Sequence, residues 1–474
     1  MPILSDYHGL MELLQRRDIP ESILEQAIFK EEEREGRQSL LDTEEVDYEK
    51  IRKDFAVISS GPQKFEAFEH EQLGTQAFAV FLQAHPGFTL NLGLSWRGDQ
   101  DGNGAFSFAG KLCSPGQISA LAGDYYGVVG EPISQEPSDL HSDIDKLSLR
   151  TEHNSLEQRQ ARFMRAFNSL KDAKRGQVDK ILSIMADETE AVMAAPGDAA
   201  RAFAKGEWWR SFRYHCHSNY IALATDNQDH FWPDNLHAYE TGHELAIAKA
   251  REAATKPNRG SEKQNLLLEA FLMECFAQHF MGDGFASGHQ RVPRKELVET
   301  LQDSRYPEWM SKKLGGLLSK KMHDEDNTLG VAVGNSIGYQ WVAFGDKHLI
   351  DDASQRNKEY AIAAMTAGFE DIFLSYTDQK PMHYYRYYWP TPITPVPAEK
   401  HLPLFKVDHD EVTGQAQVVK RKTTRDLEDR ELFTTKWSTV GTLFRAPKAS
   451  DASGAGSCAT LDVAPLLASA PGAK

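Results

Sequence analysis

The sequence predicts a mainly α-helical protein with a small β-hairpin insertion and an irregular C-terminal extension. Three observations carry that expectation. From about residue 154 onward, through the middle of the chain, apolar side chains recur at helical spacing. One stretch, "FTLNLGLSWRGDQDGNGAFSFAGKL", alternates with a period of two around a tip rich in Gly, Asp and Asn. The end, "APKASDASGAGSCATLDVAPLLASAPGAK", is rich in Ala, Ser and Gly and reads as disordered from about residue 446.

In chain order, residues 1–55 form a charged leader or helical extension, with the runs "KEEEREGRQ" and "DTEEVDYEKIRKD" on a solvated face. Residues 65–84 have helical apolar spacing and carry His70 between Glu69 and Glu71. In the hairpin tip, Asp99, Asp101 and Asn103 are spaced like the start of a calcium loop. The twelfth position is Gly110 rather than a carboxylate, so the tip reads as a polar turn. "PDNLHAYETGHELAIAKAREAA" and "KQNLLLEAFLMECFAQHF" are the clearest helices, the first with Asp234 near its N-cap. Around 380–405 the chain is rich in Tyr and Pro and reads as an irregular, packed connector. The organisation expected is a leader (1–55), a metal-dependent catalytic domain (56–390) and a C-terminal extension (391–474).

Composition narrows the function. The chain has 474 residues, 41% of them hydrophobic, enough for a sizeable core. The net charge of −16 disfavours electrostatic capture of nucleic acid, which needs a basic footprint. The four cysteines (Cys113, Cys216, Cys275, Cys458) form no C-x-x-C pair, against both a disulfide framework and a thiolate zinc site. The N-terminus lacks the pattern of a secretory signal, and no apolar run approaches the roughly 18–20 residues of a membrane span. The expectation is synthesis in the cytoplasm, with export by a specialised secretion system if the target lies outside.

The chemistry concentrates in "HFMGDGFASGH", residues 279–289, which sets His279, Asp283 and His289 in an H-x3-D-x5-H pattern. Residues four apart share a helix face, so His279 and Asp283 can grip one ion. His289 would point away on a regular helix, and glycines at 282, 284 and 288 allow a break that re-aims it; either way it is placed for a second ion. Imidazole and carboxylate are ligands of zinc and similar divalent metals. A buried, uncompensated Asp283 would be costly. Three further segments offer the same residue types: "DNQDHFWPDN" with His230, "ALAGDYYG" with Asp124, and "KKMHDEDN" with His323, Asp324, Glu325 and Asp326.

The 279–289 pattern, together with "FEHEQLGTQA", "ALAGDYYG", "DHFWPDN" and "MHDEDNTLGVAVGN" in that order, resembles the bacterial zinc-dependent phospholipases C. The likeness spans roughly residues 60–350 and is closest to the larger branch acting on glycerophospholipids such as phosphatidylcholine. The resemblance implies a mainly helical fold and two or three zinc ions, or another divalent metal. It implies that Asp124, His230, His279 and Asp283 hold one ion, and that His289 and His323 hold a second with an acidic residue. The family places that acid four positions after the His, where this chain has Asn327; Asp326 or Glu325 would substitute. A third ion would use His70, but the N-terminal Trp that the smaller family members supply is missing. His217, His237 and His243 compete as ligands. By resemblance Asp124 is the catalytic base and the substrate is the phospholipid membrane surface. Trp208, Trp209, Tyr125 and Tyr126 are available to meet a choline headgroup, but core packing is the favoured reading for them. A lipase able to damage its own cell also implies an inhibitory or export partner protein, and an effector role. Two alternatives stand beside this reading. One is a zinc nuclease on single-stranded nucleic acid, for which "HQRVPRK" is the only nearby basic run. The other is a metal-stabilised membrane-binding protein without turnover.

Overall fold

A computed structural model describes most of residues 67–437. Residues 1–66 and 438–474 lie outside the description, as do the internal stretches 99–103, 136–148, 194–217, 394–401 and 422–432 and several shorter gaps. The charged leader, the hairpin tip with Asp99, Asp101 and Asn103, His217, the Trp208–Trp209 pair and the Ala/Ser/Gly-rich tail therefore fall beyond the described residues.

Helices dominate. In order they are α1 (Ala67–Ala84), α2 (Pro115–Leu121), α3 (Leu149–Lys171), α4 (Arg175–Met193), α5 (Tyr220–Thr225), α6 (Asp234–Ala254), α7 (Ser261–Gly284), α8 (Arg294–Ser304), α9 (Glu308–Leu329), α10 (Gln355–Tyr376) and the short α11 (Tyr385–Tyr388). The axis of the body is α7. From Ala270 to Gly284 every residue is buried, because "AFLMECFAQHFMGDG" is apolar or small nearly all round. Around it pack α1, α2, α6 and α10. Phe78, Phe81, Phe271 and Phe369 knit α1, α7 and α10 together, with ring centroids 4.9–6.0 Å apart. Each such pair contributes about 0.5–1.5 kcal/mol beyond its buried area. At the start of α2, Pro115 fits the first turn. Ser114 and Gln117 form a reciprocal capping box that fixes where the helix begins.

Strands are short. β1 (Trp96–Gly98), β2 (Gly104–Phe108) and β3 (Lys111–Cys113) make an antiparallel sheet, with Trp96 opposite Phe106 and Phe106 opposite Cys113. β4 (Val331–Gly334) lies between β5 (Gln340–Ala343) and β6 (Thr391–Pro392). β7 (Phe405–His409), β8 (Ala416–Arg421) and β9 (Phe433–Thr434) form a third sheet.

The mainly α fold with small β insertions stands, and four local details differ from expectation. The alternating "FTLNLGLS" forms a 3₁₀ helix over Phe88–Ser95, so the hairpin proper begins only at Trp96. Asp234 is the first residue of α6, whose N-cap is Pro233 with no side-chain cap; its carboxylate faces the positive end of the helix instead. β6 pairs with β4, which carries the main body past residue 390. The extension expected to be irregular folds into the β7–β9 sheet, and Leu404 and Phe405 join Leu297, Leu301 and Leu314 of α8 and α9 in a second, smaller core. The aromatic connector is packed: Tyr385, Tyr388 and Trp389 are buried. Among the described residues no helix is long and apolar enough to cross a membrane.

Candidate metal centre

Six elements converge on the C-terminal end of α7. His279 and Asp283 stand one turn apart on that helix. His70 comes from α1, Asp124 from the turn after α2, and His230 from a 3₁₀ turn (Gln228–His230) that leads into α6. α7 stops at Gly284, and a second 3₁₀ turn (Ser287–His289) folds His289 back toward it. α9 supplies His323 and Asn327. The return of His289 is locked by two contacts. Its carbonyl accepts the Trp232 N–H at 2.9 Å, and the Ser287 hydroxyl donates to the Asp326 carbonyl at 2.7 Å.

The donors form a continuous chain. Asp283 Oδ2 lies 2.6 Å from His230 Nδ1 and 3.5 Å from His279 Nε2. Asp283 Oδ1 lies 3.1 Å from His289 Nδ1 and 3.6 Å from His70 Nε2. His279 Nε2 is also 3.6 Å from Asp124 Oδ1, while His230 Nε2 faces that oxygen at 4.0 Å. At the far end, His289 Nε2 and His323 Nε2 are 3.1 Å apart. Two triplets, His70–Asp124–His279 and His230–His279–Asp283, each place one ligand atom per residue within 4.8 Å of the others. His70 stacks on His279, ring centroids 4.2 Å apart, so it joins the central group.

Outer contacts orient these rings. The Ser119 carbonyl sits 3.0 Å from His279 Nδ1, which places the proton there and leaves Nε2 as the donor toward the cluster. Asp324 Oδ1 lies 3.2 Å from His323 Nδ1, again leaving Nε2 to face inward. Asp229 anchors the His230 turn by accepting the N–H groups of Ile133 (2.6 Å) and Ser134 (2.9 Å). Burial pushes the Asp229 carboxyl up to about 6 despite those bonds.

The centre is tightly enclosed. His70, His279, Asp283 and His289 are 0% exposed, and Asp124, His230 and His323 no more than 2%. Burial alone would raise the Asp283 carboxyl, but His230, His279 and His289 together hold it well below the usual carboxylate range. Gly123 has φ +63, and a Cβ there would lie 2.4 Å from the His279 ring; side chain and backbone conformation both demand glycine. Gly282 of the motif is likewise pressed against His70, 2.7 Å from where its Cβ would be.

These residues fit a divalent cation. All seven supply imidazole or carboxylate, and Asp283 Oδ1 is buried without a hydrogen bond between two ring nitrogens. Four of the His–carboxylate separations, 3.1–3.6 Å, are near the edge of a tetrahedron whose metal–ligand distances are about 2.0–2.1 Å, an edge of roughly 3.3–3.4 Å, whereas His230 to Asp283 at 2.6 Å is a hydrogen-bond distance.

Of the residues singled out from sequence, the structure brings Asp124, His230, His279, Asp283, His289, His323 and His70 together and leaves Asp326 aside. Both Asp326 oxygens accept from Arg291, at 2.7 and 2.9 Å. Glu325 is taken by Arg421 at 2.6 Å. The side chain that faces His323 is Asn327, its Nδ2 3.2 Å from His323 Nε2 and its Oδ1 accepting the Gly288 N–H at 2.6 Å. Sequence reasoning passed over this amide because it searched for a charge. The spacing itself, four positions after His323 on one helix face, was the usable signal. His237 is half-buried on α6 and in none of the ligand groups, Tyr125 stacks on Tyr220, and Tyr126 borders the hollow described next.

Beside the cluster lies a small hollow bordered by Gly123 and His230, its wall mixing Val128, Val129, Leu223 and Phe276 with Tyr126, Glu131 and Asp229. No family model, curated protein or solved structure matches this chain.

Proposed function

We propose that the protein is a metal-dependent phospholipase C. It hydrolyses the glycerol-side phosphodiester of phosphatidylcholine-like lipids to diacylglycerol and a phosphorylated headgroup. The observation that carries this reading is the contiguity of a buried His/Asp donor chain with a hollow of mixed polar and apolar lining, meeting at Gly123 and His230. The donors suit a phosphoryl group's cations. The resemblance of the five segments to the zinc phospholipases C supports the same assignment.

Divalent cations held by His70, Asp124, His230, His279, Asp283, His289 and His323 would polarise the phosphoryl oxygens and acidify a water. The chain's own groups do the rest. Ser119 and Asp324 hold His279 and His323 in the orientation that turns Nε2 inward. Asp124, next in sequence to Gly123, takes a proton from the attacking water as its oxygen bonds to phosphorus, and returns it to the glycerol oxygen as that bond breaks, giving the diacylglycerol hydroxyl. A net charge of −16 accords with a zwitterionic headgroup better than with nucleic acid.

A second reading rests on burial. Donors exposed by no more than 2% also suit closed structural sites, in which metals would hold six elements together without turnover. Phosphatidylcholine vesicles and single-stranded DNA, offered to the protein before and after chelation, separate the possibilities. Headgroup release that disappears on chelation and in Asp283→Asn supports the lipase. Cleavage of DNA alone points to a nuclease. Bound metal with neither activity, and unfolding on its removal, establishes the structural role.

A further inference from the structure

Glu274 stands nine residues before Asp283 on α7, about two and a half turns, and so faces the opposite side of the helix. There it meets a second group of donors that the centre above does not use. Glu274 Oε2 lies 2.7 Å from His243 Nδ1, on α6. His243 Nε2 points at Asp371 Oδ2, on α10, from 3.4 Å. His383 Nδ1, from the connector before α11, points at the same oxygen from 3.7 Å. Neither His243 Nε2 nor His383 Nδ1 makes a hydrogen bond, and His243 is 0% exposed.

We propose that His243, Asp371 and His383 form a separate site for a zinc-like divalent cation, one that staples the connector to α6 and α10. One ligand atom from each lies within 4.8 Å of the other two. The 3.4 and 3.7 Å approaches to Asp371 are long for hydrogen bonds to buried nitrogens and close to the roughly 3.3–3.4 Å edge of a tetrahedral zinc site. The outer contacts match as well. Glu274 takes His243 Nδ1 and leaves Nε2 as the ligand, the carboxylate–histidine arrangement of metal sites. Glu274 is itself fixed by the Tyr239 hydroxyl at 3.2 Å and the Gln278 amide at 3.1 Å. Asp371 accepts the N–H groups of Met382 (2.6 Å) and His383 (3.0 Å), which holds the connector backbone against it.

Charge points the same way. Two buried carboxylates around one buried imidazole leave an uncompensated negative charge, which either a proton on His243 or a cation must offset. Burial disfavours the proton, while Glu274 and Asp371 favour it strongly enough to take His243 up to about 10. A cation would use all three donors at once. The His383 side chain is 27% exposed although its Nδ1 is buried, so the ring borders solvent on its outer side. The site's role is to hold the connector, whose Trp389 packs against Gly284 next to Asp283.

The test uses the full-length protein, stripped with chelator and titrated with Zn²⁺, in three forms: wild type, His383→Ala and Asp283→Asn. The part-exposed His383 can be removed without opening the core. Wild type is expected to bind one equivalent more than His383→Ala, and Asp283→Asn to retain that equivalent, so failure of the main centre leaves this site readable. Zn²⁺ should raise the melting temperature of His383→Ala less than that of wild type, with the two stripped proteins melting alike. Equal stoichiometry and an equal Zn²⁺-dependent rise in wild type and His383→Ala would overturn the proposal and leave the proton on His243 as the occupant.

Discussion

Asp283 and His289 meet through a single oxygen: Oδ1 lies 3.1 Å from Nδ1, although a helix end and a 3₁₀ turn separate the two residues. The other oxygen of the same carboxylate reaches His230 at 2.6 Å. Asp283 thus joins the central group to the His289–His323 pair. Asp283→Asn keeps the shape but removes the charge that balances the surrounding imidazoles. Metal affinity should fall by at least about 100-fold, the upper range for losing even an outer partner. Metal analysis after dialysis against a weak chelator checks this.

Asn327 stands four positions after His323 on one face of α9. Asn327→Asp keeps the acceptor for the Gly288 N–H and adds a charge beside His323. Zinc binding at the His289–His323 end should tighten on the order of tenfold, about 1.4 kcal/mol. Asn327→Ala should instead lower stability by about 1–3 kcal/mol, because the buried Gly288 N–H loses its partner. Competitive chelator titration and denaturant unfolding read the two effects.

Gly123→Ala tests the closeness of the Asp124 turn to the imidazoles. The new methyl would sit 2.4 Å from His279 in a backbone conformation that L side chains rarely adopt. The left-handed backbone alone costs about 1–3 kcal/mol. The turn must also retreat, so metal loading should drop together with stability. Unchanged loading would mean that the turn moves freely and Asp124 is not held at the centre.

Cys113 and Cys275 are free and buried. Burial pushes the Cys113 thiol up to about 11 and Cys275 well above its ordinary value. At pH 8 neither should react with a thiol reagent until the protein unfolds, which timed mass spectrometry would register. The sign for stability follows from the same shift. Below the ordinary value of 9.0 both states keep the Cys113 proton; between there and about 11 only the unfolded chain loses it, so stability falls as pH rises. Cys113→Ala should flatten that alkaline limb.

The α7 helix was readable because its apolar run is too long for a strand and too continuous for a surface helix. The pairing of His279 with Asp283 was readable for an equally local reason, since i and i+4 share a face. The 88–95 segment misled because eight residues of alternating Leu and polar side chains satisfy a 3₁₀ turn as well as a strand. Phe88 and Leu92 are buried here, and the turn packs on α7. The β7–β9 sheet escaped notice because "FKVDH" and "AQVVKR" carry few apolar residues, and the sheet is anchored mainly through Leu404, Phe405 and Val419.

By itself the sequence determined the helical class, the central helix and which residue types crowd its end, because periodicity and i,i+4 spacing are local properties. Tertiary structure alone decided the partners. Whether Asp326 meets His323 or Arg291 depends on how the bend after the Ser287–His289 turn packs on α9, and the structure gives it to Arg291. Whether His289 leaves α7 or returns to Asp283 depends on contacts with Trp232 and Asp326, far away in sequence. His243, Asp371 and His383 carry no shared motif, since each comes from a different segment and only the packing of α6, α7 and α10 aims them at one point. Ligand groups are built from long-range proximity, and proximity of that kind is fixed by burial of the whole core rather than by any short stretch of chain.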